Sequence, residues 1–201
     1  MASLERVPAQ IHLDRLVIGE LLVKIEGNTP LVTHAWSDKA KKMMRDKQTG
    51  QTSKKKEPKD IDAEYEGAFY RLPDGSPGIP AAAFKSATVQ GARNFEQLTM
   101  TFVKQSLFVV GEGPEQLIRI DGEPEMWEAP VRIGQGVADL RYRPRFFPWR
   151  LEFVVRFNEV ALTKDAVVAL IDAGGLAGVG EWRPSAPKSN TGSYGMYRVV
   201  D

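Results

Sequence analysis

Three groups of residues in this chain have types and spacing that could carry chemistry. The first is Arg141-Tyr142-Arg143-Pro144-Arg145-Phe146-Phe147-Pro148-Trp149-Arg150, where arginines are interleaved with aromatics. Such a pairing suits single-stranded nucleic acid, because guanidinium groups take phosphates and rings stack on unpaired bases at about 1–3 kcal/mol per base. It fits equally a strand with a buried aromatic face and a solvated arginine face. The second group is basic: residues 39–59 carry nine Lys/Arg, including Lys39, Lys41, Lys42, Arg45, Lys54, Lys55 and Lys56, against Asp46 and Glu57. Residues 47–59 hold almost nothing apolar, so they read as a flexible arm along phosphates or as a solvated insertion. The third is the glycine-rich run Gly174-Gly175-Leu176-Ala177-Gly178-Val179-Gly180, with Arg183 and Lys188 beyond it. It reads as one wall of a strand-binding groove or as a tight turn into the last strand.

Catalysis has less support. His12 and His34 are the only histidines, and neither stands in a metal-ligand spacing. Glu64 and Glu66 would share one face of a strand, a common surface arrangement. The glycine run follows a helix, whereas glycines that cradle nucleotides follow a strand. With no cysteine in the chain, disulfides, thiolate metal sites and cysteine nucleophiles are excluded. The expectation is a binding protein with no catalytic residue, metal or cofactor.

The 201 residues most simply form one domain with a formal net charge of +1. The charge is unevenly spread. Residues 112–139 carry seven acids against Arg119 and Arg132, and residues 141–156 carry five arginines against Glu152. Such a dipolar molecule suits an anionic partner on one side, or head-to-tail contact between copies. No apolar run reaches the roughly 18 residues of a membrane helix, and the first residues lack a secretion signal, so a cytoplasmic protein without membrane contact is expected.

These side chains need elements to position them. Residues 16–26 are too apolar for full exposure and read as a central strand. Ser37 could cap a short helix over 38–45 whose Ala40, Met43 and Met44 form one buried edge. Residues 63–72 alternate weakly and predict an edge strand and hairpin. Pro80 opens the best helix, over 80–96, with Lys85 and Arg93 about two turns apart. Residues 100–110 and 117–120 predict strands, and residues 123–148 an excursion outside the core. Leu151, Phe153, Val155 and Phe157 share one face of a strand over 150–160. Thr163 caps a helix that Gly174-Gly175 should end, and a strand over 194–200 closes the chain. The order is βαββαβ, an α+β ferredoxin-like core of the RNA-recognition type. It carries insertions at about 37–62 and 111–149. Aromatic RNA-recognition signatures are missing from its strands, so binding would run through loops and insertions.

On this frame three motifs carry a family resemblance: Thr29-Pro30-Leu31-Val32-Thr33-His34 after the first strand; Gly78-Ile79-Pro80-Ala81-Ala82-Ala83-Phe84-Lys85-Ser86-Ala87 entering the first core helix; and the Gly174 to Gly180 loop followed by Gly192-Ser193-Tyr194-Gly195-Met196-Tyr197. Together they span most of the chain. The sequence resembles the RAMP superfamily, specifically the repeated backbone subunit of CRISPR effector complexes that coats guide RNA; its length fits a small phage or mobile-element relative. The resemblance implies a modified RNA-recognition palm whose inserted segments grip the strand and touch the next copy. It also implies single-stranded nucleic acid, RNA before DNA, as partner, with homo-oligomerisation along the strand and contact with other effector subunits. Binding would fall to the cations named above together with Trp149. The target-cleaving branch of the family carries an acidic residue after the first strand; Asp38 is the only nearby candidate and the glycine pattern around it is missing, so cleavage is not carried over. Two other classes remain open: a phage protein that binds and anneals single-stranded DNA in recombination, and a self-assembling structural protein without nucleic acid.

Overall fold

Alternating apolar residues at both ends of the chain build the central sheet of the computed structural model, which describes residues 15–36, 38–50, 58–133, 137–187 and 190–201, without the side chains of 38–40, 132, 133 and 137. In chain order the elements are β1 (Ile18–Gly27), β2 (Leu31–Val32), α1 (Asp38–Gln48), α2 (Ile61–Glu66), β3 (Tyr70–Arg71), β4 (Pro77–Pro80), α3 (Ala81–Gly91), α4 (Met100–Ser106), β5 (Leu107–Val110), β6 (Leu117–Arg119), β7 (Pro124–Ile133), β8 (Val137–Phe146), β9 (Arg150–Asn158), α5 (Lys164–Ala177) and β10 (Tyr197–Val200). The class is α+β, as expected. His12, Ser37, Lys54, Lys55, Lys56 and Lys188 lie outside the described residues.

The sheet has the order β10-β1-β9-β5 with every pair antiparallel. Its strands therefore come in the chain order fourth, first, third, second, with α3 between the first two and α5 between the last two. Period two sends Val23, Ile25, Leu151, Phe153, Val155 and Phe157 to one face, where all are buried. Helices α3 and α5 cover that face: Phe84 of α3 lies 5.2 Å from the Phe153 ring and 5.6 Å from Tyr197. Two three-stranded sheets stand beside it, β2-β8-β7 and β3-β4-β6. The hairpin β7–β8, whose two strands have ten residues each, falls in the predicted excursion.

Local structure departs from expectation in four places, each with a physical reason. Residues 63–66, predicted as the start of a strand, belong to the helix α2: Asp60 accepts the Ala63 amide at 3.0 Å, and Asp62 and Glu64 lie in the first turn where acids favour the dipole. The strand predicted over 100–110 begins as α4, because Thr99 caps Phe102 at 3.1 Å and Val103 and Ser106 bury at a helical spacing; only 107–110 are extended. Gly174 and Gly175 do not end α5. They sit inside it because neighbouring backbone comes too close for a side chain: a Cβ at Gly175 would lie 1.9 Å from the Tyr197 oxygen, and one at Gly174 2.9 Å from Ala87. The helix ends at Gly178 (φ 69°), whose amide donates to Gly174 O. Finally, Met43 and Met44 are 64% and 46% exposed, so they do not form a buried edge of α1.

Candidate nucleic-acid interface

The interface is built from β8 outward. Strand alternation turns Tyr142, Pro144 and Phe146 inward, where all three are buried, and puts Arg141, Arg143 and Arg145 together on the other face. That face is not left to solvent. The segment after α5 folds across it, held by Glu181 N donating to Val32 O at 2.9 Å, Val179 N to Gly195 O at 3.0 Å and Gly195 N to Pro30 O at 2.7 Å. Gly180 (φ 75°) makes this path passable, since a Cβ there would lie 2.4 Å from Val32 O.

The crossing segment delivers Trp182 to the arginines. Trp182 has φ 52°, a left-handed conformation uncommon for a bulky residue, and its carbonyl accepts the Tyr194 amide at 3.1 Å. Its ring lies 4.8 Å from Trp127 at 71°, and Trp127 lies 5.6 Å from Tyr194. Arg143 stands 4.9 Å from the Trp182 ring and Arg145 5.5 Å from that of Trp127. Two tryptophans and a tyrosine, all part-exposed, thus share one patch with two guanidinium groups.

Each guanidinium already has an acidic partner. Arg141 reaches Asp139 at 3.1 Å and Glu64 at 3.4 Å, Arg143 reaches Glu181 at 3.3 Å, and Arg145 reaches Glu125 at 2.7 Å. Glu125 raises the Arg145 pKa, whereas burial lowers that of Arg143. Arg143 is only 7% exposed, and its Nε has no hydrogen-bond partner. His34 Nδ1 stands 3.9 Å from Glu181. Burial, helped by repulsion from Arg143, holds its imidazole below the usual histidine range, so it is neutral at pH 7.

A cavity of about 200 Å³ opens on the other side of the crossing segment. Thr33, His34, Pro80, Ala83, Gly180, Glu181 and Arg183 are among the residues that line it. Arg183 Nη1 donates to Gly180 O at 2.7 Å.

The remaining predicted residues are scattered. Trp149 is 1% exposed, its indole N–H donates to Thr29 O at 2.8 Å and its ring packs near Tyr197, so it is a core residue. Lys85 lies 3.6 Å over the Phe108 ring at the β5 edge, whereas Arg93 Nε donates to Met100 Sδ at 3.3 Å; the two do not converge. Lys39, Lys41, Lys42 and Arg45 belong to α1, where Arg45 Nε donates to Lys41 O at 3.4 Å. Their helix borders a different groove of about 520 Å³, lined by Trp36, Met43, Met44 and Tyr142. Sequence reading had missed Trp127, Trp182 and Tyr194 as partners of the arginines. The signal for them was the Trp182-Arg183 step beside the glycines, but only the fold pairs it with the hairpin. Among the described residues no three His, Asp or Glu side chains gather as a metal site, and no helix is long and apolar enough to cross a membrane.

No family model matches the sequence, and no curated protein matches it. Solved structures do. Cmr6 from Pyrococcus furiosus is 12% identical over 92% of this chain and 100% of its own, with a TM-score of 0.44. A chain of the Type III-B Cmr-beta complex bound to cognate target RNA is 10% identical over 90% of this chain and 59% of its own, with a TM-score of 0.42. A chain of a CRISPR RNA-guided surveillance complex is 12% identical over 89% of this chain and 66% of its own, with a TM-score of 0.33. This chain thus spans less than two thirds of the latter two.

Proposed function

We propose that this protein binds single-stranded nucleic acid, RNA before DNA, across the β7–β8 hairpin and the segment that follows α5, without cutting it. The observation that carries the reading is the patch in which Trp127, Trp182 and Tyr194 meet Arg143 and Arg145. Unpaired bases stack on the part-exposed rings, and phosphates draw Arg145 from Glu125 and Arg183 from the Gly180 carbonyl. Because stacking and phosphate contacts do not identify a base, sequence is read weakly.

The preference for RNA and the side-by-side assembly of copies, with other effector subunits alongside, rest on the RAMP-like motifs around Thr33, Pro80 and Gly178. In this reading the protein is a backbone-type subunit of a CRISPR-like ribonucleoprotein. Extracting whatever co-purifies with the protein from its host tests it. Ribonuclease-sensitive strands of regularly spaced protected lengths are the expected result. Co-purified single-stranded DNA together with annealing activity would make it a recombination protein, and assemblies free of nucleic acid would make it a scaffold.

A further inference from the structure

One stretch of the central sheet has a free edge. Val17 O accepts the Glu159 amide at 2.9 Å and Gly27 N donates to Trp149 O at 2.9 Å, so the odd-numbered backbone groups of β1 point to β9. The even-numbered ones point the other way. There β10 takes Lys24 and Glu26, and occupies that line from Lys24 onward. The N–H and C=O groups of Ile18, Glu20 and Leu22 therefore meet no strand among the described residues.

The outer edges of the sheet are guarded. At β10 the outward Val199 amide donates to Asp172 Oδ1 at 2.9 Å, and at β5 the outward Leu107 amide donates to Val103 O of α4. Nothing similar protects β1 among the described residues, and its side chains do not repel another strand. Leu16, Ile18 and Leu22 are 70%, 55% and 55% exposed, and the one acid between them, Glu20, is engaged by Arg156 at 2.7 Å. An open edge flanked by apolar side chains is a template for strand pairing.

We infer that this edge pairs with the same edge of a second copy, antiparallel about a two-fold axis at Gly19. Two features select a second copy as the occupant. The free edge is short, because β10 blocks the line beyond Val23, and residues 16–22 of another copy have the length that fits. The edge is also self-complementary. With Gly19 on the axis, Leu16 falls opposite Leu22 of the partner subunit and Ile18 opposite Glu20 of the partner subunit, so outward backbone groups meet outward ones, like charges do not face each other, and apolar ends cover one another. A two-fold contact closes at two copies, which sets it apart from assembly along a strand. Residues 16–22 supply far fewer than the roughly 20–30 residues a side of a standard interface, so the dimer is a weak one, with a Kd on the order of micromolar.

The test uses the full-length protein freed of nucleic acid, so its outcome is independent of the strand-binding reading. Sedimentation over about 1–100 µM should show a monomer–dimer equilibrium. Leu22→Lys, at a side chain the fold leaves exposed, should move that equilibrium about tenfold or more toward monomer without changing the melting temperature. Because the chain has no cysteine, introduced thiols report the register. Leu16→Cys and Leu22→Cys proteins, mixed under mild oxidation, should form a disulfide with each other, since opposite Cα atoms lie about 5.5 Å apart. Neither should cross-link with itself, as its own two copies lie about 20 Å apart. A monomer throughout the range, a dimer that survives Leu22→Lys, or a disulfide in Leu22→Cys alone would overturn the proposal. So would slow hydrogen exchange of the Ile18, Glu20 and Leu22 amides in the monomer, because the edge would then be paired within the chain.

Discussion

Arg143 touches Trp182 and Glu181 at once: its guanidinium stands 4.9 Å from the indole and 3.3 Å from the carboxylate, with only 7% of the residue exposed. A buried strand arginine is thereby packed against a loop tryptophan while it pairs with the part-exposed Glu181. Arg145 differs in being part-exposed, which makes it the guanidinium free to exchange Glu125 for a phosphate. Arg145→Ala should therefore reduce oligonucleotide affinity and flatten the log-log salt dependence by about 0.7, one phosphate's worth. Arg143→Ala should lower the melting temperature first. Titrations at several salt concentrations beside thermal melts separate the two effects.

Trp182 allows stacking to be separated from folding. Trp182→Gly removes the ring but also relieves a left-handed backbone, a strain of about 1 kcal/mol or more. Oligonucleotide affinity is expected to fall roughly 5- to 100-fold, the equivalent of one stacked base, without a matching fall in thermal stability. Trp182→Phe should keep most of the affinity. Intact binding in the glycine variant would remove Trp182 from the interface.

Where α5 approaches β10, Gly175→Ala is expected to destabilise the protein by about 1–3 kcal/mol or to prevent folding, because the new methyl group meets the Tyr197 carbonyl at 1.9 Å. Urea denaturation midpoints check this. Trp149→Ala should cost a further order of about 3–5 kcal/mol as a core truncation, with unchanged affinity per folded molecule.

His34 gives the fold a pH dependence of known sign. Its imidazole is held below 6.5 in the folded protein, first by burial and then by Arg143. The unfolded chain therefore binds this proton more readily, and stability falls as pH drops below about 6.5, levelling off beneath the folded value. His34→Gln should remove that component from denaturation midpoints collected across the acid range, leaving the carboxylate contribution at lower pH.

Much of the frame was legible because period two and helix caps are local signals. Leu151 to Phe157 alternate strictly, and Thr163 caps α5 as read, its Oγ1 accepting the Ala166 amide at 3.2 Å. What was hidden depends on distant partners. Gly174 and Gly175 look like a stop until α3 and β10 are placed against them, and residues 63–66 look like strand until the cap at Asp60 is weighed. Likewise, the arginines of β8 were visible, but their aromatic partners were sought in the same segment. Trp149, the nearest candidate, packs inward, and the rings that meet the arginines come from β7 and from loops far along the chain.

The most direct measurement is fluorescence anisotropy of a labelled single-stranded RNA of about 30–40 nucleotides, titrated with the protein at roughly 50 mM salt. A saturable, cooperative rise is predicted, steeply weakened by added salt and shifted to higher protein concentration by Trp182→Gly and Arg145→Ala. No change in anisotropy at micromolar protein, with the fold verified in the same sample, would contradict the proposed function.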